Sequence, residues 1–406
     1  MPTPRRSLRL ALLISFVAVV ALAVVAYLLL RGDDGNIEGS SEGFVATDEP
    51  VASSASWPEY GFNAQRTRAN RDVSLRPPFR ETWRFAARSL LEFPPVIAGG
   101  RVVFGTNDGR GIALDATTGR LLWEIRLPGQ IAASPAVAGD TAVFATTSGS
   151  LVALATIDGT RRWARKIGRS SESSPLVIDG AVYVGTLDGT VLRVRLADGV
   201  VVWTATAAGS VKASLAAAGA NVVVGDYAGR ISAFARATGR LVWRTVSPGP
   251  RFRGAGRFYA GPAVAYGRIF IGNINARVVA LQADSGAIAW TRELDDFVYS
   301  SAAIGARTVF VGSYDHRLHA LDAVTGTPRW TFDAGERISG SPSIVGDLVY
   351  VSTLARGGRK GTTFALDLST GRQAWSFPDG RYSPAVAIDG LLVIVGRETL
   401  YGLAPA

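Results

Sequence analysis

No cysteine occurs in the 406 residues, and the one methionine is Met1. A disulfide framework, a cysteine metal site and a lipidated N-terminal cysteine are thereby excluded; a chain of this length buries enough core to fold without such staples. Histidine is almost as scarce, with both copies, His316 and His319, in one hairpin. Residues three apart on a strand point to opposite faces, so the pair reads as a turn residue and a packed strand residue, and no metal site is expected. The adjacent loop carboxylates Asp295 and Asp296 do not by themselves make an acid and a base that share a substrate. Gly-x-Gly patterns abound because the 46 glycines serve turns, but there is no Gly-rich phosphate loop, nucleophile elbow or kinase motif set. No catalytic residue is expected.

What the chain does contain is repetition. Ala113-Leu-Asp-Ala-Thr-Thr-Gly119-Arg-Leu-Leu-Trp123 returns as Ala320-Leu-Asp-Ala-Val-Thr-Gly326-Thr-Pro-Arg-Trp330 and as Ala365-Leu-Asp-Leu-Ser-Thr-Gly371-Arg-Gln-Ala-Trp375. Looser copies end at Trp163, Trp203, Trp243 and Trp290, and Trp83 heads the series. The period is near 40 residues. Within one unit, Ala132 to Val137, Thr141 to Thr147, Ser150 to Thr156 and Thr160 to Ile167 are apolar runs of strand length. Asp108-Gly109, Ser148-Gly149 and Asp188-Gly189 supply tight turns between the second and third runs, and Asp-x-x-Thr-Gly closes the next hairpin. Middle strands such as Val182-Tyr-Val184 are apolar on both faces and must be covered on both, which radial stacking achieves.

The fold expected is therefore all-β: an eight-bladed β-propeller of four-stranded antiparallel blades, with the eight tryptophans filling the gaps between blades. The marks that open the innermost strands give the same count: Pro95, Pro135, Pro175, Leu215, Pro262, Ala302, Pro342 and Pro384. Only three strands remain after Trp375, so the segment around Trp83, Arg80 to Ala86, is expected to close the last blade and leave no open edge.

Ahead of the repeats, Arg5, Arg6 and Arg9 precede Leu10 to Leu30, 21 residues without a charge. As a helix these would span about 31 Å, matching a hydrocarbon core of about 30 Å. The segment reads as a transmembrane signal anchor with residues 1–9 in the cytoplasm and the propeller outside. Cleavage after Ala21-Leu-Ala23 is the competing reading, and it would leave Val24 to Leu30 as an exposed apolar tail. Residues 32–56 carry six acidic residues and no Lys or Arg, and read as a flexible linker before the domain at 57–406.

From Trp57 onward 39 Arg and Lys face 27 Asp and Glu, a net charge of +12, although only 3 of the 39 are Lys. A basic domain outside the membrane would attract an envelope protein, an anionic polymer or lipid headgroups; nucleic acid is not an expected partner there.

The Ala-Leu-Asp-Ala-x-Thr-Gly-x-x-x-Trp repeat, together with Trp57-Pro-Glu-Tyr-Gly and Arg66-Thr67, resembles the pyrroloquinoline-quinone-like β-propeller family over Trp57 to Ala406. That resemblance implies one of two kinds of member. Quinoprotein dehydrogenases use the quinone with calcium or a related ion, a vicinal cysteine pair and long loops bearing an acid base and metal ligands. BamB-like members are non-catalytic envelope scaffolds. This chain has no cysteine and nearly minimal blades, which points to the BamB-like branch without a cofactor, but it also lacks the lipidated cysteine of BamB itself. The function expected is a membrane-anchored, extracytoplasmic binding or scaffold module. The alternatives are a quinone-dependent dehydrogenase and a ligand-sensing ectodomain.

Two sets of residues are candidates for the working surface. Three residues before each inner-strand mark the blades carry Glu92, Ala132, Glu172, Lys212, Tyr259, Tyr299, Ser339 and Arg381. This position varies in charge and size while the frame stays constant, as a funnel lining would; a solvated loop edge explains the same pattern. The second set is a basic ridge. The lead-in to the fifth blade is lengthened through Arg251, Phe252, Arg253 and Arg257, and a turn of the seventh through Arg356, Arg359 and Lys360, with Arg381 on the same face.

Overall fold

Each blade is made of the same four strands because the same residue types recur at the same spacing. In the first, Val96–Ala98 pairs with Arg101–Gly105, this with Arg110–Asp115, and this with Leu121–Arg126, all antiparallel. Val102, Val103 and Phe104 of the second strand are buried on both faces, so the sheet is stable only between neighbours. The computed structural model describes residues 15–22, 36–47, 55–248, 256–354, 360–382 and 384–406. Among them lie eight sheets of this kind, the seventh extended by the short parallel strand Ala69–Asn70 beside Ser343–Val345, and they form the eight-bladed propeller.

Two features of the repeat make the blades adhere. A register shift opposite each tryptophan, such as that between Ala113 and Leu114, twists the outer strand where the indole projects. The indole then meets the Asp-x-x-Thr-Gly turn of the following blade. Trp123 Nε1 donates to the Thr156 carbonyl at 2.8 Å, and Trp83, Trp163, Trp203, Trp290 and Trp330 make the corresponding bond. The glycine of that turn has φ near +70° and lies flat on the ring: a Cβ at Gly199 would sit 2.6 Å from Trp163 Cε3. Thus the motif's glycine is required twice, by its own turn and by its neighbour's tryptophan. Trp243 and Trp375 lack the bond to a turn carbonyl among the described residues; Trp375 packs edge-on against Phe79, ring centroids 5.2 Å apart.

The ring closes as its sequence suggests. Phe79–Ala86 is the outer strand of the sheet containing Ala385–Ile388, Leu391–Val395 and Thr399–Pro405. Trp83 lies opposite Gly402, where any Cβ would fall 2.1 Å from the indole.

The turn aspartates carry much of the local order. The Asp367 carboxylate accepts from the backbone and hydroxyl of both Ser369 and Thr370, at 2.7 to 3.1 Å. These bonds hold its pKa at about 2. An acid whose folded pKa lies below its unfolded value of about 4 contributes stability that is present above pH 4 and is lost as pH falls through 2. Asp367→Asn is therefore expected to flatten the stability profile between those limits, a change read by urea titration at a series of pH values.

The N-terminal region is described only in part. Of the expected span 10–30, residues 15–22 form a helix, and residues 10–14 and 23–30 lie outside the described residues; no helix among the described residues is long and apolar enough to cross a membrane. Residues 36–47 fall in the segment read as a flexible linker, yet they lie along blades five and six. Ile37 forms an antiparallel bridge with Thr291, and Gly39 N donates to Thr325 O at 3.1 Å. Phe44 stacks on Tyr266, centroids 5.1 Å apart, with the Arg268 and Arg307 guanidiniums each 5.2 Å from its ring. Buried Arg268 donates to the Ser40 and Glu42 carbonyls. One aromatic anchor and a run of main-chain bonds thus hold a segment of low hydrophobicity. Its contacts are with the Asp-x-x-Thr-Gly side of the ring.

Candidate functional site

An open propeller has an axial hole, because the inner strands present one unpaired edge to the axis. Here residues 57–70 fill the base of that hole and bond to every blade in turn. Trp57 exchanges two bonds with Ile97, at 2.7 and 2.8 Å. Val137, Ala217, Val264, Ile304 and Ile344 donate to the carbonyls of Pro58, Ala64, Gln65, Thr67 and Arg68 at 2.7 to 2.8 Å. Glu59 accepts from Val177 N in the third blade, and Asn70 donates to Ala387 O in the eighth. A buried backbone amide or carbonyl on an inner-strand edge costs free energy unless it is paired, and the plug supplies the partner.

Inside the plug a buried ion pair fixes the turn. Arg66, 1% exposed, lies 3.1 Å from Glu59 and donates to the carbonyls of Leu215 and Pro175 at 2.9 Å and to that of Tyr60. Arg68 is also buried, but Nε and Nη2 have no partner among the described residues; its guanidinium lies 3.9 Å from the Tyr60 ring centroid.

Above the plug the hole widens into a blind funnel of about 290 Å³. Tyr60 is its floor, with its hydroxyl 3.3 and 3.4 Å from those of Ser301 and Ser341. Burial alone would raise the Tyr60 phenol, but Arg68, the two serines and Arg66 hold it below its ordinary value. These serines belong to the inner-strand openings and also tie blades together, Gly261 N to Ser301 Oγ at 2.8 Å and Ser301 N to Ser341 Oγ at 2.9 Å.

Of the positions read as a lining, Glu92, Lys212, Tyr259, Tyr299 and Ser339 face this cavity. Glu172 is ion-paired to Lys212. Burial raises the Glu92 carboxyl above its ordinary range, Lys212 opposes this and Glu172 adds to it. Arg381 lies against Tyr382, 5.0 Å from the ring centroid. Phe93, Tyr314 and Tyr382 also line the funnel, and one position per blade could not reveal them. Tyr314 comes from a second turn, and the Tyr60 floor from the plug.

The basic ridge is placed only in part. Arg251, Phe252, Arg253, Arg356 and Arg359 lie outside the described residues. Arg257 is exposed beside the funnel mouth. Lys360 is engaged: its ammonium lies 3.0 Å from the buried Asp379 carboxylate and 3.2 Å from the Tyr401 hydroxyl. His319 Nε2 lies 2.8 Å from Asp315 Oδ2, and His316 occupies a turn with φ +74°. Among the described residues no three His, Asp or Glu side chains are grouped as metal ligands.

No curated protein matches this chain. Among solved structures, BamB from Moraxella catarrhalis aligns at 19% identity with a TM-score of 0.66, covering 81% of this chain and 98% of that one. A europium-containing methanol dehydrogenase aligns at 12% identity and 0.75, over 87% of this chain and 98% of the other. The quinohemoprotein alcohol dehydrogenase from Comamonas testosteroni aligns at 14% and 0.74, over 87% and 81%. At such identities these likenesses establish the fold alone. A family model described as outer membrane protein assembly factor BamB matches residues 78–245, 131–279, 227–305 and 298–404, so the chain belongs to this family of PQQ-like propellers.

Proposed function

We propose that this chain is a cell-membrane protein anchored by residues 10–30, with its propeller outside the membrane as a non-catalytic binding or scaffold module for an envelope protein or anionic polymer. The observation that carries the reading is the blind funnel. Residues 57–70 close its base, and the remaining opening faces away from the side on which residues 36–47 dock. Leu30 to Asn36 spans at most about 20 Å, so the docked segment would hold the base close to the membrane and turn the funnel outward.

A quinone enzyme is disfavoured by the lining. The quinone is a planar tricarboxylate that needs several cations and a metal beside it. Among the described residues the one ammonium lining the cavity, Lys212, is already paired with Glu172, and Glu92 stands nearby as a further negative charge. This balance of charge does not match a tricarboxylate and its metal.

Two experiments test the proposal. Reconstitution with pyrroloquinoline quinone and calcium should give no dye-coupled oxidation of alcohols or sugars; saturable oxidation would overturn the non-enzymatic reading. A photo-crosslinking residue at Phe297, on the funnel mouth and 44% exposed, should capture envelope components in intact cells. The same residue at Ile157, 69% exposed on the opposite face, should not. Capture at Ile157 alone would place the working surface on the wrong side.

A further inference from the structure

Aromatic rings form a continuous wall on one side of the funnel. Tyr227 and Tyr259 have centroids 4.7 Å apart, Tyr259 and Tyr299 4.9 Å, Tyr299 and Tyr314 4.8 Å, and Phe297 extends the row to the mouth, 6.1 Å from Tyr299. Polar groups share the cavity with this wall: the Glu92 carboxylate, the Ser339 hydroxyl and, at the floor against Tyr60, the hydroxyls of Ser301 and Ser341.

We propose that this funnel binds the end of a saccharide chain, its ring faces stacked on the Tyr259–Tyr299–Tyr314 wall and its hydroxyls bonded to Glu92 and Ser339. The inference rests on the reading of this face as the working surface and names the ligand class.

The argument is one of matching. A wholly apolar ligand would strip water from Glu92, the serines and the tyrosine hydroxyls without replacing it. A small ion would leave the aromatic wall in water. An organic cation would be repelled by the cations already beside the wall, because Lys212 lies 5.9 Å from the Tyr259 ring, Arg337 5.3 Å from Tyr314 and Arg381 5.0 Å from Tyr382. Tyr299, at the centre of the wall, has no cation of this kind against it among the described residues. A pyranose combines a C–H face with a rim of hydroxyls, the same division of apolar and polar surface as the cavity. Of the cations deeper in the funnel, Arg66 is paired with Glu59 and Lys212 with Glu172, Arg68 lies against the Tyr60 ring, and Glu92 adds a further carboxylate. A strongly anionic ligand therefore has no excess charge to meet until it reaches Arg337 and Arg381 at the mouth.

The test uses the full chain in lipid nanodiscs and saturation-transfer NMR with four probes: maltotriose, mannotriose, triacetylchitotriose and trigalacturonate. At least one neutral trisaccharide should bind. Tyr299→Ala should weaken it about tenfold or more, while Tyr299→Phe, which keeps the ring, should stay within about threefold. Three results would overturn the proposal: no probe binding to the folded protein, binding unaffected by Tyr299→Ala, or binding of trigalacturonate alone that salt abolishes equally in both proteins. The third would assign recognition to the basic mouth. If crosslinking at Phe297 still captures envelope components when all four sugars fail, only the ligand class falls; if crosslinking fails as well, the reading of the face falls with it.

Discussion

Replacing Arg66 by Met is expected to destabilise the propeller by about 3 to 5 kcal/mol, the cost of leaving a buried partner charge uncompensated. Glu59 would keep its carboxylate in a site 6% exposed, and three carbonyls, those of Tyr60, Pro175 and Leu215, would lose their donor. Because the plug bonds to every blade, the loss is felt by the whole ring rather than by one sheet. The double replacement Glu59→Leu, Arg66→Met should recover part of the loss, since an apolar pair of similar volume removes both charges from the interior. Denaturant midpoints for the parent, the single and the double variant measure this. A single-variant effect below about 1 kcal/mol would mean that residues 57–70 are not packed as described.

The second large effect is at the closing blade. Trp83→Ala should cost about 3 to 5 kcal/mol, because the indole is 6% exposed, donates to Ala116 O and is clasped by Gly119 and Gly402. It should also produce oligomers at gel filtration, because freeing Phe79–Ala86 uncovers the edge of Thr399–Pro405. Trp243→Ala makes a pointed comparison. That ring occupies the same repeat position but is half-buried, and Nε1 has no partner among the described residues. Its loss should cost roughly half as much and leave the elution volume of the parent unchanged. Equal effects at the two sites would contradict the assignment of ring closure to Trp83.

These two sites also show where sequence was informative. Trp83 was legible because a propeller repeats: one fixed period links each tryptophan to the next blade's glycine, and a missing strand at one end of the chain matches a spare one at the other. Arg66 was visible only as part of a pattern ahead of the first blade. The plug occurs once, so it has no period, and it is held mainly by main-chain bonds that leave little trace in side-chain type. Three buried aromatics in that non-repeating stretch, Trp57, Tyr60 and Phe62, were the available hint. Lys360 was read as part of a basic ridge because its neighbours in sequence are basic, whereas its partner Asp379 is 19 residues away. The docked tether was missed for a similar reason: a polar segment with one Phe gives little sign of packing until Tyr266 and the arginines beside it are known.

In the proposed arrangement the funnel opens outward from the cell membrane. Since the chain has no cysteine, Phe297→Cys creates a unique thiol at the funnel mouth. Its reaction with a membrane-impermeant maleimide in spheroplasts is the most direct measurement. Rapid labelling of intact spheroplasts, with the protein retained in the membrane after carbonate washing, is the predicted result. Labelling only after the membrane is permeabilised, or release of the labelled protein by the wash, would contradict the account.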